Sequence, residues 1–108
     1  LIKGVQLMKQ SDLEKKCHSA HQYASNNRKE ILASELCGCF YCRETFPPSE
    51  ISEWQDAEES GIGQTALCPH CGIDSVIGSN HGVPVTKLFL SHMHKVWFNS
   101  NPEKEYNE

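Results

Sequence analysis

The chain has 108 residues, a net charge of −4 and no basic run longer than two residues. That length suits one domain, and that charge argues against generic DNA or RNA binding, whose affinity rests on cationic contacts to phosphate. Apolar residues make up 38% and mean hydropathy is −0.53, so the core is modest and a bound metal would help the chain fold.

No stretch approaches the roughly 18 apolar residues of a membrane span, and no charged-then-apolar signal opens the chain. The expectation is therefore a cytoplasmic protein with its six cysteines reduced. Residues 1–7 precede Met8, which reads as a natural start. They are expected to be a non-native or disordered leader, followed by a single zinc-binding domain over 8–100 and a tail over 101–108.

Ser11-Asp12-Leu13-Glu14 fits a capping box. Leu13, Cys17, Ala20 and Ala24 then recur at helical spacing, predicting a helix over 11–24. Ser25-Asn26-Asn27 interrupts it, because these side chains compete for backbone hydrogen bonds. Asn27-Arg28-Lys29-Glu30 reads as a second capping box and predicts a helix over 28–35.

The sequence Cys-Gly-Cys-Phe-Tyr-Cys occupies 37–42. Cys39 and Cys42 have the two-residue gap of a metal knuckle. Cys37 is then expected to be a small buried apolar residue. After Pro47-Pro48, Ser49 reads as the cap of a short helix over 50–54, with Ile51 and Trp54 facing one way. Residues 56–63 form an acidic, glycine-containing stretch, read as a solvated connector.

Residues 64–67 read as a strand entering a second knuckle, Cys68-Pro69-His70-Cys71-Gly72, and 73–77 as a strand leaving it. Gly72 suits a left-handed exit from the turn. A turn cluster over 78–82 precedes the last helix, where Leu88, Phe89, Met93, Val96 and Trp97 make an apolar stripe.

Two matched Cys-x-x-Cys pairs are the strong chemical signal. Soft thiolates at Cys39, Cys42, Cys68 and Cys71 select zinc over hard cations, and four of them close its coordination sphere. Such an ion is structural. The fold class implied is α+β: a small zinc-ribbon or treble-clef-like centre flanked by N-terminal helices and a C-terminal helix.

The six histidines build no catalytic pattern. His18 and His21 read as an exposed pair on one helix side, His70 as a solvent-facing knuckle residue that is the one histidine placed to replace a ligand, and His92 and His94 as occupants of different faces. His81, Asp74 and His94 are the one grouping that would serve an enzyme. An HNH-type nuclease needs a histidine base between its cysteine pairs; between Cys42 and Cys68 there is none, and Asp56 supplies only a carboxylate.

The run Ser25 to Leu32, then Cys-Gly-Cys-Phe-Tyr-Cys, Phe-Pro-Pro-Ser-Glu-Ile, and Ala-Leu-Cys-Pro-His-Cys-Gly-Ile-Asp-Ser resembles a set of small bacterial proteins described as cytoplasmic and zinc-ribbon-like. The resemblance spans about residues 15 to 98. It implies a cytoplasmic bacterial protein with a four-cysteine metal site, and it implies no activity.

The expected function is a non-enzymatic, zinc-stabilised protein-interaction module, acidic enough to mask a basic toxin as an immunity or antitoxin protein does. The alternative is a nucleic-acid-binding zinc ribbon, using Arg28, Lys29, Arg43, Lys87 and Lys95 with Phe40 and Tyr41 as a stacking pair. A second alternative is a degenerate HNH-like nuclease.

Overall fold

This computed structural model describes residues 10–98. The expected leader over 1–7 and tail over 101–108 lie outside the described residues. The architecture is α+β. Helix α1 (Gln10–Ala20) runs into a 3-10 turn (His21–Ala24), and α2 (Arg28–Leu32) follows. Five short strands come next: β1 (Cys37–Cys39), β2 (Thr45–Phe46), β3 (Trp54–Gln55), β4 (Thr65–Ala66) and β5 (Val76–Gly78). Helix α3 (Lys87–Phe98) completes the fold.

Strand β1 is central. It pairs antiparallel with β2, setting Cys37 opposite Phe46, and with β5, setting Cys39 opposite Val76. Strands β3 and β4 form a separate antiparallel pair with Trp54 opposite Ala66.

Side chains alternate across a strand, and β1 and β5 use this to separate two cores. On one face Ile77 joins Phe40, Phe89, Leu90 and Met93 beneath the helices, with Cys17 and Ala20 contributed by α1. On the other face Cys37, Cys39 and Val76 join Ile31, Phe46, Ile51, Ala66 and Cys68. Gly38 points to the helical face, where a Cβ would lie 2.7 Å from Leu90 Cδ1. Only a residue without a side chain lets α3 sit this close to the sheet. The Trp97 indole N–H donates to the Cys17 carbonyl at 3.1 Å, tying α3 to α1.

Several sequence expectations change. The helix expected over 28–35 ends at Leu32. The Asn27 side chain makes no cap bond to α2, because its polar atoms are taken by other partners. Ser11 lies inside α1 and not ahead of it; its side chain is outside the described ones. No helix forms over 50–54: a 3-10 turn (Pro48–Glu50) leads into β3. Ile51 and Trp54 still pack on the same core, Trp54 from β3 and Ile51 from the irregular stretch just before it. The strand expected over 73–77 starts later, at Val76, and pairs with β1. On α3 the stripe is rotated: Leu88 is 71% exposed, and Leu90 takes the buried place.

Candidate metal centre

Each knuckle is built by backbone hydrogen bonds that curl the chain around a sulfur. In the first, the Arg43 amide donates to the Cys39 carbonyl at 2.7 Å and the Tyr41 amide to Cys39 Sγ at 3.3 Å. In the second, the Gly72 amide donates to the Cys68 carbonyl at 2.9 Å. The His70 and Cys71 amides donate to Cys68 Sγ at 3.3 and 3.4 Å. The residue after each second cysteine is left-handed: Arg43 has φ +67° and Gly72 has φ +80°. The two turns are thus near copies in backbone, and the left-handed exit at Gly72 agrees with the sequence expectation.

These turns bring Cys39, Cys42, Cys68 and Cys71 together, with all four Sγ atoms within 4.8 Å of one another. Cys39 Sγ lies 3.6 Å from Cys71 Sγ, and Cys42 Sγ lies 3.7 Å from Cys68 Sγ. All six cysteines are free thiols. Sulfurs about 2.3 Å from a zinc ion at the corners of a tetrahedron sit about 3.8 Å apart, so these spacings suit a metal ion and exceed any disulfide bond. Burial, helped by the neighbouring Cys68 and Cys42 sulfurs, pushes the Cys39 thiol far up, against the pull of the Cys42 and Tyr41 amides. A cation held among the four sulfurs would offset that cost by favouring their thiolate forms.

Cys37 is fully buried and lies outside the cluster. Burial pushes its thiol up to about 11, and its Sγ faces the Ile31 carbonyl at 4.0 Å. It behaves as a core residue. His70 sits on the knuckle surface, 3.8 Å from Glu50 Oε1 and about half exposed, with a side-chain accessibility of 45%.

The other histidines go to separate places. His18 and His21 are exposed and pack against Trp97 at 5.2 and 4.0 Å between ring centroids. His81 stacks on Tyr23 at 4.6 Å and accepts from the Gly78 amide at Nδ1, 3.0 Å away. His94 Nδ1 lies 3.2 Å from the Phe40 carbonyl. Asp74 accepts from the Gln55 side-chain amide at 3.0 Å. His81, Asp74 and His94 therefore each have their own partner, and no hydrogen bond joins them among the described residues.

Phe40 is 1% exposed. It is a core residue and cannot stack on a base, so only Tyr41 remains of the expected stacking pair. Arg28 is also committed: its guanidinium lies over the Trp54 ring at 4.6 Å and donates to the Gly63 carbonyl at 2.8 Å.

Asn27 is the important residue that sequence reasoning placed wrongly. It is 1% exposed. Its Nδ2 donates to the carbonyls of Tyr23 and Val76 at 2.8 and 2.9 Å, and its Oδ1 accepts from the Ala66 amide at 3.0 Å. The signal available was the Asn-Asn pair between two helical patterns, which marks a break but names no distant partner.

Comparison with protein-family models, with characterised proteins and with solved structures gave no match, so no family is established for the chain. Among the described residues, no helix is long and apolar enough to cross a membrane.

Proposed function

We propose that this chain is a non-enzymatic protein-interaction module of zinc-ribbon type, held together by a structural zinc ion and acting in the reducing cytoplasm of a bacterium. The observation that carries the reading is the four-sulfur cluster. Four cysteine ligands fill a tetrahedral ion and leave no position for a reacting water. Both cysteine pairs lie on turns ahead of or between strands, with α3 starting only at Lys87. That favours a ribbon over a treble clef, in which the second pair opens a helix.

The partner side rests on charge. Asp56, Glu58 and Glu59 are exposed on one connector, and Glu50 and Glu53 are exposed just before it. Such a surface suits a basic protein and repels nucleic acid. An immunity or antitoxin-like role, masking a basic toxin, fits it. The nucleic-acid reading is weakened by the buried Phe40 and the committed Arg28.

Two measurements test this. Elemental mass spectrometry is expected to give one zinc per chain, and a cobalt-substituted sample to give a tetrahedral thiolate spectrum that added anions leave unchanged. A spectrum that shifts with anions would reveal an open ligand position and sink the non-enzymatic reading. Calorimetry with basic proteins encoded beside this chain is expected to find binding that weakens with salt and in a Glu58→Lys/Glu59→Lys variant. Binding indifferent to both would remove the acidic connector as the contact.

A further inference from the structure

The four cluster cysteines are not equivalent. Cys39 is 0% exposed and Cys68 is 3% exposed, whereas Cys42 and Cys71 are partly open to solvent. The amide hydrogen bonds are distributed the same way. Cys39 Sγ accepts from Tyr41, and Cys68 Sγ accepts from His70 and Cys71. No such bond reaches Cys42 Sγ or Cys71 Sγ among the described residues. An amide donating to a thiolate stabilises its charge and lowers its nucleophilicity. The buried sulfurs are thus shielded twice, by protein atoms and by hydrogen bonds. Cys42 and Cys71 are only partly covered by protein atoms, and no amide hydrogen bond adds to that cover among the described residues.

The close sulfur contacts cross from one knuckle to the other, and each joins an open sulfur to a buried one. Cys71 lies 3.6 Å from Cys39, and Cys42 lies 3.7 Å from Cys68. This is the arrangement of an attacked cysteine beside its resolving partner.

We propose that Cys71 and Cys42 are sites of oxidation by hydrogen peroxide, and that each is resolved across the cluster, giving the disulfides Cys39–Cys71 and Cys42–Cys68. This rests on the reading of the cluster as a zinc-thiolate centre. In the first step a thiolate of Cys71 or Cys42 attacks one peroxide oxygen. The O–O bond breaks, the sulfur becomes a sulfenic acid carrying the attacked oxygen and its proton, and hydroxide leaves into solvent. In the second step the buried partner thiolate attacks the sulfenic sulfur. The S–O bond breaks, the S–S bond forms, and a second hydroxide leaves. Each pair of sulfurs gives up two electrons and each peroxide gains two. A sulfur engaged in a disulfide no longer carries the charge that holds a divalent cation, so oxidation of both pairs frees the zinc. Closing each contact to a bond needs the sulfurs to approach by about 1.6 Å, given an S–S length of about 2.05 Å.

The test uses the full chain with its zinc content measured beforehand. Graded hydrogen peroxide is added, released zinc is followed with a chromogenic chelator, and dimedone trapping with peptide mapping locates sulfenic acids and disulfides. Dimedone is expected on Cys71 and Cys42, zinc release is expected to rise with disulfide, and the mapped bonds are expected to be Cys39–Cys71 and Cys42–Cys68. Bonds within the knuckles, Cys39–Cys42 and Cys68–Cys71, would overturn the proposal. So would trapping on Cys39 or Cys68, or zinc-loaded chain that peroxide leaves unoxidised. The unmutated chain suffices for this map. If the chain binds no zinc, the metal reading fails on the first measurement, and the pairing is still decided on the reduced apo chain.

Discussion

The Asn27 side chain donates to the Val76 carbonyl at 2.9 Å across 49 residues of sequence, in a fully buried setting. The same side chain accepts from the Ala66 amide at 3.0 Å. Val76 belongs to the three-stranded sheet and Ala66 to the two-stranded one. One amide therefore joins the two sheets.

Asn27→Ala should be strongly destabilising. It strands the Ala66 amide and the Val76 carbonyl in the interior, and each buried unsatisfied group costs about 1–3 kcal/mol. Urea unfolding of zinc-loaded protein should show a loss of about 3 kcal/mol with an unchanged denaturant slope. A loss under about 0.5 kcal/mol would mean that water replaces the side chain at no cost. Asn27→Asp should fare no better, because it keeps the acceptor and loses both donors.

Removing the metal should unfold the domain. The second core is lined by Cys37, Cys39, Cys68 and Val76 with Cys42 and Cys71 against it, so apo protein would retain crowded, buried thiols with nothing to bind. Structural zinc contributes about 10–16 kcal/mol of apparent binding energy in small domains, as much as the whole stability of a typical domain, roughly 5–15 kcal/mol. A strong chelator or Cys68→Ser should therefore abolish the native circular dichroism spectrum. Its persistence without metal would assign folding to the helical core alone.

The parts of the fold legible in the sequence are those fixed by local chemistry. The first helix, expected over 11–24 and found as α-helix to Ala20 with a 3-10 turn over His21–Ala24, and the C-terminal helix follow from periodic apolar residues, and the turn at Cys71-Gly72 follows from the glycine. Non-local pairing was hidden. Nothing near Gly38 announces that it must pass under Leu90, and β1 was unreadable because Cys37-Gly38-Cys39 has neither β-branched residues nor visible alternation. Its strand identity comes from pairing with β5, which lies far along the chain. Leu88 and Leu90 are chemically alike, so periodicity alone could not tell which one α3 would bury. The four cysteines stood out because metal ligation restricts both residue type and spacing; the uneven shielding of their sulfurs depends on turn geometry and could not.

The two knuckle exits should respond oppositely to substitution. At Gly72, φ is +80° and an added Cβ meets nothing within 4 Å, so Gly72→Ala isolates backbone strain. Left-handed backbone costs an L-residue about 1–2 kcal/mol. At Arg43 the same conformation is already adopted by a residue with a side chain, at φ +67°. Arg43→Gly should relieve strain there, offset in part by the greater freedom of glycine in the unfolded chain. Thermal unfolding of the zinc-loaded proteins should show Gly72→Ala melting about 4–8 °C lower per kcal/mol lost and Arg43→Gly unchanged or higher. A lower melting temperature for Arg43→Gly would mean that its side chain, and not its backbone, matters to the turn.

His81 should make the fold sensitive to mild acid. Burial of the ring lowers its pKa below the ordinary histidine value, with Glu30 opposing. The Gly78 amide also occupies Nδ1, so the neutral ring with its proton on Nε2 is the form the fold holds. The unfolded chain binds a proton at about pH 6.5, before the folded chain does. Stability is therefore full above that pH and declines as pH falls from it toward the lower folded pKa. Titration of the His81 ring by NMR should give a midpoint below the ordinary histidine value. His81→Gln should flatten the fall in stability over the same interval relative to unmutated protein, which separates this histidine from acid attack on the cysteine cluster at lower pH. A ring titrating at or above the ordinary value would show that solvent reaches it and that its stacking on Tyr23 does not exclude water.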